Sequence, residues 1–271
     1  MKFTHLLSTL TIGACSLVAL ASCSKEEGVA TNSPKKEEVS AQALAQIKQL
    51  GFSTQNITRE GDSYLVEGDI RIDAAQLGTA PEYKLMRVGE EEQYRTNNLV
   101  TGLPRTITVA VSSTLPSAYV TAADEAIRRY NAEGLRITMR RVTSGANITL
   151  TKAPSGSSYL ASAGFPSGGN PYNQVLVNSD ALGTSYATTT IASVLAHEIG
   201  HCIGFRHTDY MSRQYSCGGS AVNEGASTVG AVLIPGTPSG PDPNSWMLAC
   251  IGTGVNRPFN TNDRTALNYL Y

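Results

Sequence analysis

The sequence has almost no excess charge of either sign. Its 271 residues include 21 Lys and Arg and 22 Asp and Glu, which gives a formal net charge of −1 at pH 7. A protein that binds nucleic acid through the phosphates needs an excess of basic residues, so this balance argues against nucleic acid as a partner. Charged residues make up 16% of the chain and hydrophobic residues 41%, which indicates a globular protein and not a disordered one.

The chain also lacks a hydrophobic run long enough for a membrane-spanning helix, which needs about 20 apolar residues. Its most apolar stretch, 6–21, is interrupted by Ser and Thr and has the features of a signal peptide. Leu20-Ala21-Ser22-Cys23 resembles a bacterial lipobox, in which the cysteine becomes the lipidated first residue of the mature chain. We therefore predict a signal peptide at 1–22 and a lipid anchor on Cys23 as the only membrane contact; an ordinary signal peptide is the alternative.

The residues after this cysteine are polar. Ser24-Lys25-Glu26-Glu27 resembles the acidic export tag of surface lipoproteins in some Gram-negative bacteria, and a solvated tether is the alternative. Residues 23–40 are predicted to form a linker. Together these features predict an exported protein, an outer-membrane or cell-surface lipoprotein of a Gram-negative bacterium, which processing would release to the extracellular space.

Cysteine is scarce in the part of the chain that is expected to fold. Cys202, Cys217 and Cys250 remain there, an odd number for an oxidising compartment. We predict a disulfide between Cys217 and Cys250 because both lie in loop-rich sequence, whereas Cys202 lies in a predicted helix and is expected to be packed. Other pairings of the three stay open.

Hydrophobic periodicity divides the folded part into two domains. A small N-terminal domain is predicted at 41–98, with a helix that ends at Gly51 and two strands at 63–72. A larger domain is predicted at 99–271, where strands alternate with two long helices and the last third is rich in Gly, Pro and Ser. This order predicts an α+β fold.

One segment, H-E-I-G-H-C-I-G-F-R-H at 197–207, contains three of the four histidines. On a helix, His197 and His201 lie on one face a turn apart and can share an ion. Gly204 can adopt the left-handed conformation that ends a helix, so that His207 returns as a third ligand. Three neutral nitrogens suit Zn²⁺ and leave a fourth position for water, as in catalytic zinc sites.

Other catalytic chemistries lack the residues they need. The remaining histidine lies in the predicted signal peptide, so none is left for a Ser-His or Cys-His pair. The sequence has no G-x-S-x-G, no C-x-x-C and no phosphate-binding glycine loop.

H-E-x-x-H-x-x-G-x-x-H is the zinc signature of the metzincin peptidases, and the HEIGH core resembles the bacterial dual-action HEIGH metallopeptidases. Ser245-Trp246-Met247 resembles the metzincin Met-turn, in which Met247 would support the ligands without binding metal. The resemblance covers residues 105–271. It implies a metzincin-like catalytic domain, with a twisted mixed sheet, two long helices above it and a loop-rich C-terminal subdomain below.

The resemblance further implies a zinc-dependent endopeptidase that acts on proteins or peptides. Glu198 would be the general base, taking a proton from a zinc-activated water and passing it to the leaving amine. Some metzincins have a tyrosine ligand two residues after the methionine, where this chain has Ala249. The substrate would lie along an edge strand, for which 159–163 is the candidate and a surface loop the alternative; residues 231–242 would form an apolar wall of the primed-side pocket.

Leu65–Ile70 resembles the F-x-G-D segment with which astacin propeptides place an aspartate on the zinc, with valine in place of the phenylalanine. Asp69 would then displace the water and keep the enzyme latent, and a Gly-Asp turn in a hairpin is the alternative. No cysteine lies between Cys23 and Cys202, so a cysteine cannot play this part. Cleavage between Arg87 and Arg105 would release the active enzyme from its anchor.

Several questions stay open on the sequence alone. A surface lipoprotein that binds protein or glycan and has a non-catalytic zinc site is the main alternative, and an aminopeptidase is another. Asp209, Asp242 and Asp263 match no calcium-loop motif, so calcium binding is undecided. The sequence does not indicate the cleavage preference or the oligomeric state.

Overall fold

The computed structural model describes residues 38–50, 52–77, 93–224, 230–238 and 241–271. The predicted signal peptide, Cys23, most of the linker, Gly51 and the part of the predicted cleavage region before Gln93 lie outside the described residues. In the part of the chain that the structure describes, no helix has the length and apolar character to cross a membrane. All described residues belong to one compact unit, 36–271.

The fold is α+β, as predicted. The helices are α1 (Ala41–Leu50), α2 (Ala118–Ala132), α3 (Ser179–Leu182), α4 (Thr188–Ile203), α5 (Gln214–Cys217) and α6 (Thr261–Leu270). The strands are β1 (Thr58–Glu60), β2 (Ser63–Val66), β3 (Ile70–Asp73), β4 (Tyr94–Arg95), β5 (Arg105–Val111), β6 (Ile137–Arg141), β7 (Ile148–Lys152), β8 (Ala161–Ala163), β9 (Gln174–Val177) and β10 (Val232–Leu233). Within the described residues, eight strands form a mixed sheet in the order β1-β2-β3-β8-β9-β7-β5-β6, and β4 pairs with β10.

The parallel strands β5, β6, β7 and β9 form the centre of the larger part. Alternate residues of β5, including Ile107 and Val109, are fully buried against the two long helices, as period-two patterning predicts. Helix α2 packs on α4 through small side chains, and Tyr130 Oη donates a hydrogen bond to the Ala196 carbonyl at 2.7 Å. The sheet and α2 together fix the position of α4.

The N-terminal segment, residues 41–77, has a hydrophobic core of its own. Ile47, Phe52 and Ile70 are buried in this core together with Phe165 of the larger part. Strands β1, β2 and β3 are antiparallel, and β3 pairs in parallel with β8 at the single position Ile70–Ala163. This segment therefore shares its sheet with the rest of the protein.

Residues 93–98 were assigned by sequence to the N-terminal domain, but they pack on the larger part. Strand β4 pairs with β10, and the Thr96 amide donates a hydrogen bond to the Gly204 carbonyl at 2.8 Å. We call residues 93–271 the body of the protein.

Strand β8 covers part of the predicted substrate edge, 159–163. In this structure it lies between β9 and β3, so it is not at an edge. The reason is that β3 pairs with the side of β8 that faces away from β9. Without β1, β2 and β3, strand β8 would be the edge of the remaining sheet.

Candidate active site

Helix α4 brings the first two predicted ligands together and ends where the third can return. His197 and His201 lie one turn apart on the helix, which ends at Gly204 with φ of +112°. A side chain at Gly204 would also collide with the Asn98 carbonyl, because an ideal Cβ lies 2.8 Å from that oxygen. The turn that follows brings His207 back to the helix, as the sequence predicted.

Each of the three imidazoles is held through its Nδ1 atom. His197 Nδ1 lies 2.9 Å from the Trp246 carbonyl and His201 Nδ1 lies 2.8 Å from the Phe205 carbonyl. His207 Nδ1 lies 3.1 Å from a carboxylate oxygen of Glu224. Because all three partners are acceptors, the Nδ1 atoms carry the protons and the Nε2 lone pairs point elsewhere.

These three Nε2 atoms converge on one point. His201 Nε2 is 3.1 Å from His197 Nε2 and 3.2 Å from His207 Nε2. Asp69 Oδ2, from the N-terminal segment, lies 3.2 Å from His207 Nε2 and 3.7 Å from His197 Nε2. Lone pairs at these distances repel unless a cation lies between them, and a set of three nitrogens and one oxygen suits Zn²⁺. The residues therefore fit a zinc ion.

Glu198 lies beside these ligands. Only 2% of it is exposed, and its Oε2 atom has no hydrogen-bond partner within the described part of the chain. Burial raises the pKa of its carboxyl well above the ordinary value, and the neighbouring Asp69 carboxylate raises it further. A carboxylate with a raised pKa and an unused oxygen can accept a proton from a nearby water.

The predicted Met-turn lies directly beneath the helix. Met247 is fully buried, and an ideal Cβ on Gly200 would lie 2.6 Å from its Sδ atom and 3.1 Å from Trp246 Nε1. The turn can approach α4 this closely only because residue 200 has no side chain. The Trp246 carbonyl then reaches His197 Nδ1. The glycine of the HEIGH segment thus has a packing role that spacing alone does not reveal.

Comparison with known proteins agrees with this geometry. A family model described as dual-action HEIGH metallopeptidase matches residues 65–271. The chain belongs to this family. It is therefore a metallopeptidase, and its substrates are proteins or peptides. A comparison with curated proteins finds no match.

Two solved structures of myroilysin share part of the chain's shape. One is 16% identical with a TM-score of 0.41, and the aligned region covers 64% of this chain and 95% of the myroilysin chain. The other is 15% identical with a TM-score of 0.38, and covers 68% of this chain and 96% of its own.

The charges around the metallopeptidase site favour a neutral His201 and a positive charge near His207. Burial and the two neighbouring histidines lower the pKa of His201 well below its ordinary value. Burial acts in the same direction on His207, but the Asp69 and Glu224 carboxylates outweigh it and raise the pKa of His207. Of the two carboxylates, Asp69 faces the point where the Nε2 atoms meet, and Glu224 lies behind the His207 ring at Nδ1.

Glu224 is a site residue that the sequence does not single out. It is buried, it accepts the hydrogen bond from His207 Nδ1, and Arg213 lies 3.5 Å from it. A carboxylate behind a histidine ligand fixes the ring orientation and increases its basicity. Glu224 lies in a loop 17 residues beyond His207, without a motif, so no spacing rule could have found it.

Glu67 is a second residue without a sequence signal. It lies two residues before Asp69, has a φ of +54° and accepts a 2.8 Å hydrogen bond from Arg206. Both side chains are fully buried, and the Arg206 guanidinium also lies over the rings of Phe52 and Tyr210. The N-terminal segment therefore places two carboxylates, and not one, in the body of the protein.

The Met-turn is held from behind by Asp263. Its carboxylate accepts hydrogen bonds from the Trp246 amide at 3.1 Å and from Gln93 Nε2 at 2.7 Å, and Gln93 also donates to Ser245 Oγ. Asp209 in turn accepts a hydrogen bond from the Ala249 amide at 2.9 Å. These aspartates orient loops, and neither belongs to a cluster that could hold a metal among the described residues. Calcium binding stays open.

Two further predictions concern the walls of the site. The structure joins Cys217 and Cys250 in a disulfide, and Cys202 is a buried free thiol. No described residue of 231–242 lines the cavity that His197 and Glu198 line. The primed-side wall predicted there is not supported by the structure, because β10 pairs with β4 and this part of the loop packs away from the cavity.

Proposed function

We propose that this metallopeptidase is a zinc endopeptidase that uses His197, His201 and His207 as ligands and Glu198 as general base. One observation carries the proposal: the unprotonated Nε2 atoms of His197 and His207 lie 3.1 and 3.2 Å from that of His201, beside a buried glutamate. Zinc, when bound there, supplies a Lewis acid that polarises the scissile carbonyl and lowers the pKa of water.

The chain's own residues perform the proton transfers. Glu198 accepts the proton of the attacking water on its unpartnered oxygen and delivers it to the amine as the peptide bond breaks. Burial raises the pKa of Glu198, which favours the protonated form that delivers this proton. Met247 and Gly200 keep the helix and the Trp246 carbonyl in place, so that His197 retains its orientation.

We further propose that the protein is made as a latent precursor. Asp69 lies where a fourth ligand would bind, and its backbone carbonyl accepts a hydrogen bond from the Ala163 amide of β8 at 2.9 Å. Strand β3 thereby occupies the side of β8 along which an extended substrate could pair. Both the metal position and the strand edge are blocked by the same short segment.

Removal of this segment has to leave the body of the protein intact. Gln93 holds Asp263 and Ser245, and the Arg206 amide donates to the Tyr94 carbonyl at 2.9 Å. We therefore propose that the activating cut precedes Gln93, in the N-terminal part of the predicted interval 87–105. A cut at Arg95 or Arg105 would detach residues that support the Met-turn.

The decisive experiment measures zinc content and casein cleavage on the chain from Ser24 to Tyr271, before and after limited trypsin digestion. We expect one zinc per chain and chelator-sensitive cleavage after activation. The Glu198→Gln variant should keep its zinc and lose about 100-fold or more of the rate. Glu133→Gln, a largely buried glutamate paired with Arg264 at the end of α2, is the matched control and should retain full activity.

Zinc binding without cleavage in every form would contradict the proposal and favour a binding lipoprotein with a non-catalytic site. Export and anchoring are a separate proposal, since they rest on the sequence of residues 1–27. Cys23→Ser should then abolish membrane association of the expressed protein, and an unchanged membrane fraction would contradict the anchor.

A further inference from the structure

The cavity beside the catalytic residues contains an arginine with no ion-pair partner among the described residues. The cavity has a volume of about 470 Å³, and His197 and Glu198 line one part of it. Arg257 lines it as well, together with the apolar side chains of Leu248 and Ile251 that follow the Met-turn. A substrate residue near the scissile bond could thus reach this guanidinium.

Arg257 is fixed relative to the catalytic helix. Its backbone amide donates a 2.8 Å hydrogen bond to Ser193 Oγ, one turn before His197 in α4. Its side chain donates a 3.0 Å hydrogen bond to the Cys250 carbonyl, and the disulfide ties Cys250 to Cys217. Two firm attachments therefore hold the arginine between α4 and the loop after the Met-turn.

The charge of Arg257 is not matched by a carboxylate in the described residues. Arg213, in the same cavity, lies 3.5 Å from Glu224, and Arg129 lies 3.0 Å from Glu125. Asp209 and Asp263, the acidic groups whose fields reach Arg257, already accept hydrogen bonds from other groups. Burial also lowers the pKa of Arg257, because part of its hydration is lost.

A partly buried guanidinium without an ion-pair partner among the described residues is suited to bind a carboxylate. Arginine has five N–H donors in a planar fork, and only one is seen here in a side-chain hydrogen bond, to Cys250. Carboxylate oxygens match the fork in pairs, and such bonds are stronger where water is partly excluded. The apolar walls at Leu248 and Ile251 would contact the methylene groups that carry the carboxylate.

We propose that Arg257 forms a subsite for a substrate carboxylate close to the scissile bond, and that it determines cleavage preference. The inference rests on the proposed endopeptidase function. Two sources share this chemistry, the side chain of Asp or Glu and the C-terminal carboxylate of a peptide. Arg257 is a specificity residue and takes no part in the proton transfers.

The test compares cleavage rates of synthetic peptides by the full chain after activation by Asp69→Ala or by limited trypsin digestion. One set has both ends blocked and carries Glu, Asp, Gln or Leu at each position around the cleaved bond. A second set has neutral side chains and a free or an amidated C-terminus. At one position we expect kcat/KM to be about 10- to 100-fold higher for a carboxylate than for its amide, mainly through KM.

Variants then assign the preference to Arg257. Arg257→Gln should remove the preference, Arg257→Glu should shift it to Lys or Arg, and Arg257→Lys should keep part of it. Arg128→Gln, an exposed arginine of α2 paired with Glu125, is the matched control and should leave the preference unchanged.

The outcomes separate this inference from the proposed function. Cleavage without a carboxylate preference, or a preference that persists in Arg257→Gln, overturns the subsite and leaves the endopeptidase in place. If no peptide is cleaved, the proposed function fails, and binding of a fluorescent blocked Glu peptide to the same chain decides the subsite. Equal affinities of the Glu and Gln peptides in fluorescence-anisotropy titrations would overturn the subsite.

Discussion

The N-terminal segment and the body of the protein each have a hydrophobic core. The contacts between these two parts differ in kind from the contacts inside each of them. Inside the body, Tyr119 and the alanines of α2 pack in one continuous core with α4 and the parallel strands. Only one strand position joins the segment to the sheet of the body, and side chains make further contacts. These include the stacked pair Phe52 and Phe165, the carboxylates of Glu67 and Asp69, and hydrogen bonds from the hydroxyls of Tyr159 and Tyr172. Several of them lie at the proposed zinc ligands and the neighbouring strand, as expected for a segment that blocks a site.

Removal of the Asp69 carboxylate should have the largest effect on how the segment blocks the site. Asp69→Ala in the full chain should raise casein cleavage before any processing by about 100-fold or more, since loss of a buried charge partner costs about 3–5 kcal/mol. The assay compares unprocessed protein with and without the substitution, with intact mass as a check. Asp62→Ala, in the turn before β2, is the control and should leave the precursor inactive.

An Asp69→Ala precursor that stays intact and inactive would remove the latch from the proposal and leave the catalytic residues untouched. Zinc content should stay at one per chain in that variant, because the three histidines remain.

Matched core truncations should show that the two cores are separable. Ile47→Ala and Ile107→Ala each remove a fully buried side chain, at a cost of about 2–5 kcal/mol. Ile47→Ala should speed trypsin release of the N-terminal segment. Ile107→Ala should lower the melting temperature of the released body and leave the rate of release unchanged. Equally fast release in both variants would show that the cores are not independent.

The buried pair of Glu67 and Arg206 should contribute less than Asp69, because an amide at residue 67 can still accept the hydrogen bond. We expect Glu67→Gln to weaken attachment of the segment by about 1–3 kcal/mol, seen as faster release under limited digestion. Glu60→Gln, which loses only a 3.3 Å contact with Tyr159, serves as the control. Release at the wild-type rate in Glu67→Gln would mean that this pair contributes nothing to attachment.

Substitution of Gln93 should have the smallest effect and should lower the stability of the body alone. Gln93→Ala removes a buried hydrogen bond to Asp263, which costs about 1–2 kcal/mol. The drop in melting temperature should be the same in the precursor and in the released body, while Gln42→Ala on α1 should change neither. A drop seen only in the precursor would place Gln93 with the N-terminal segment.

The sequence predicts the elements whose periodicity is strong. Helix α4 can be predicted as a long helix because its apolar pattern is long and Gly204 ends it. The turn that returns His207 is predicted for the same reason. The three short strands of the N-terminal segment are harder, and β1 was not foreseen, because three residues of mixed polarity carry no pattern.

Residues that act by contact over long sequence distances and belong to no motif could not be predicted. Glu224, Gln93 and Arg257 are ordinary polar residues in loops, and their roles come from where the chain places them. The apolar pocket wall expected at 231–242 had a suitable composition, but composition does not determine which face of a loop lines a cavity. Gly200 lies within the motif, and only the approach of Met247 explains it.

The free thiol of Cys202 has a consequence for the oxidation state of the protein. Its side chain is fully buried in α4 directly after His201, and burial raises its pKa well above the ordinary value. Thiol–disulfide exchange requires a thiolate, so Cys202 cannot attack the bridge between Cys217 and Cys250 while the helix is folded. The helix that carries the ligands thereby also protects the disulfide from rearrangement.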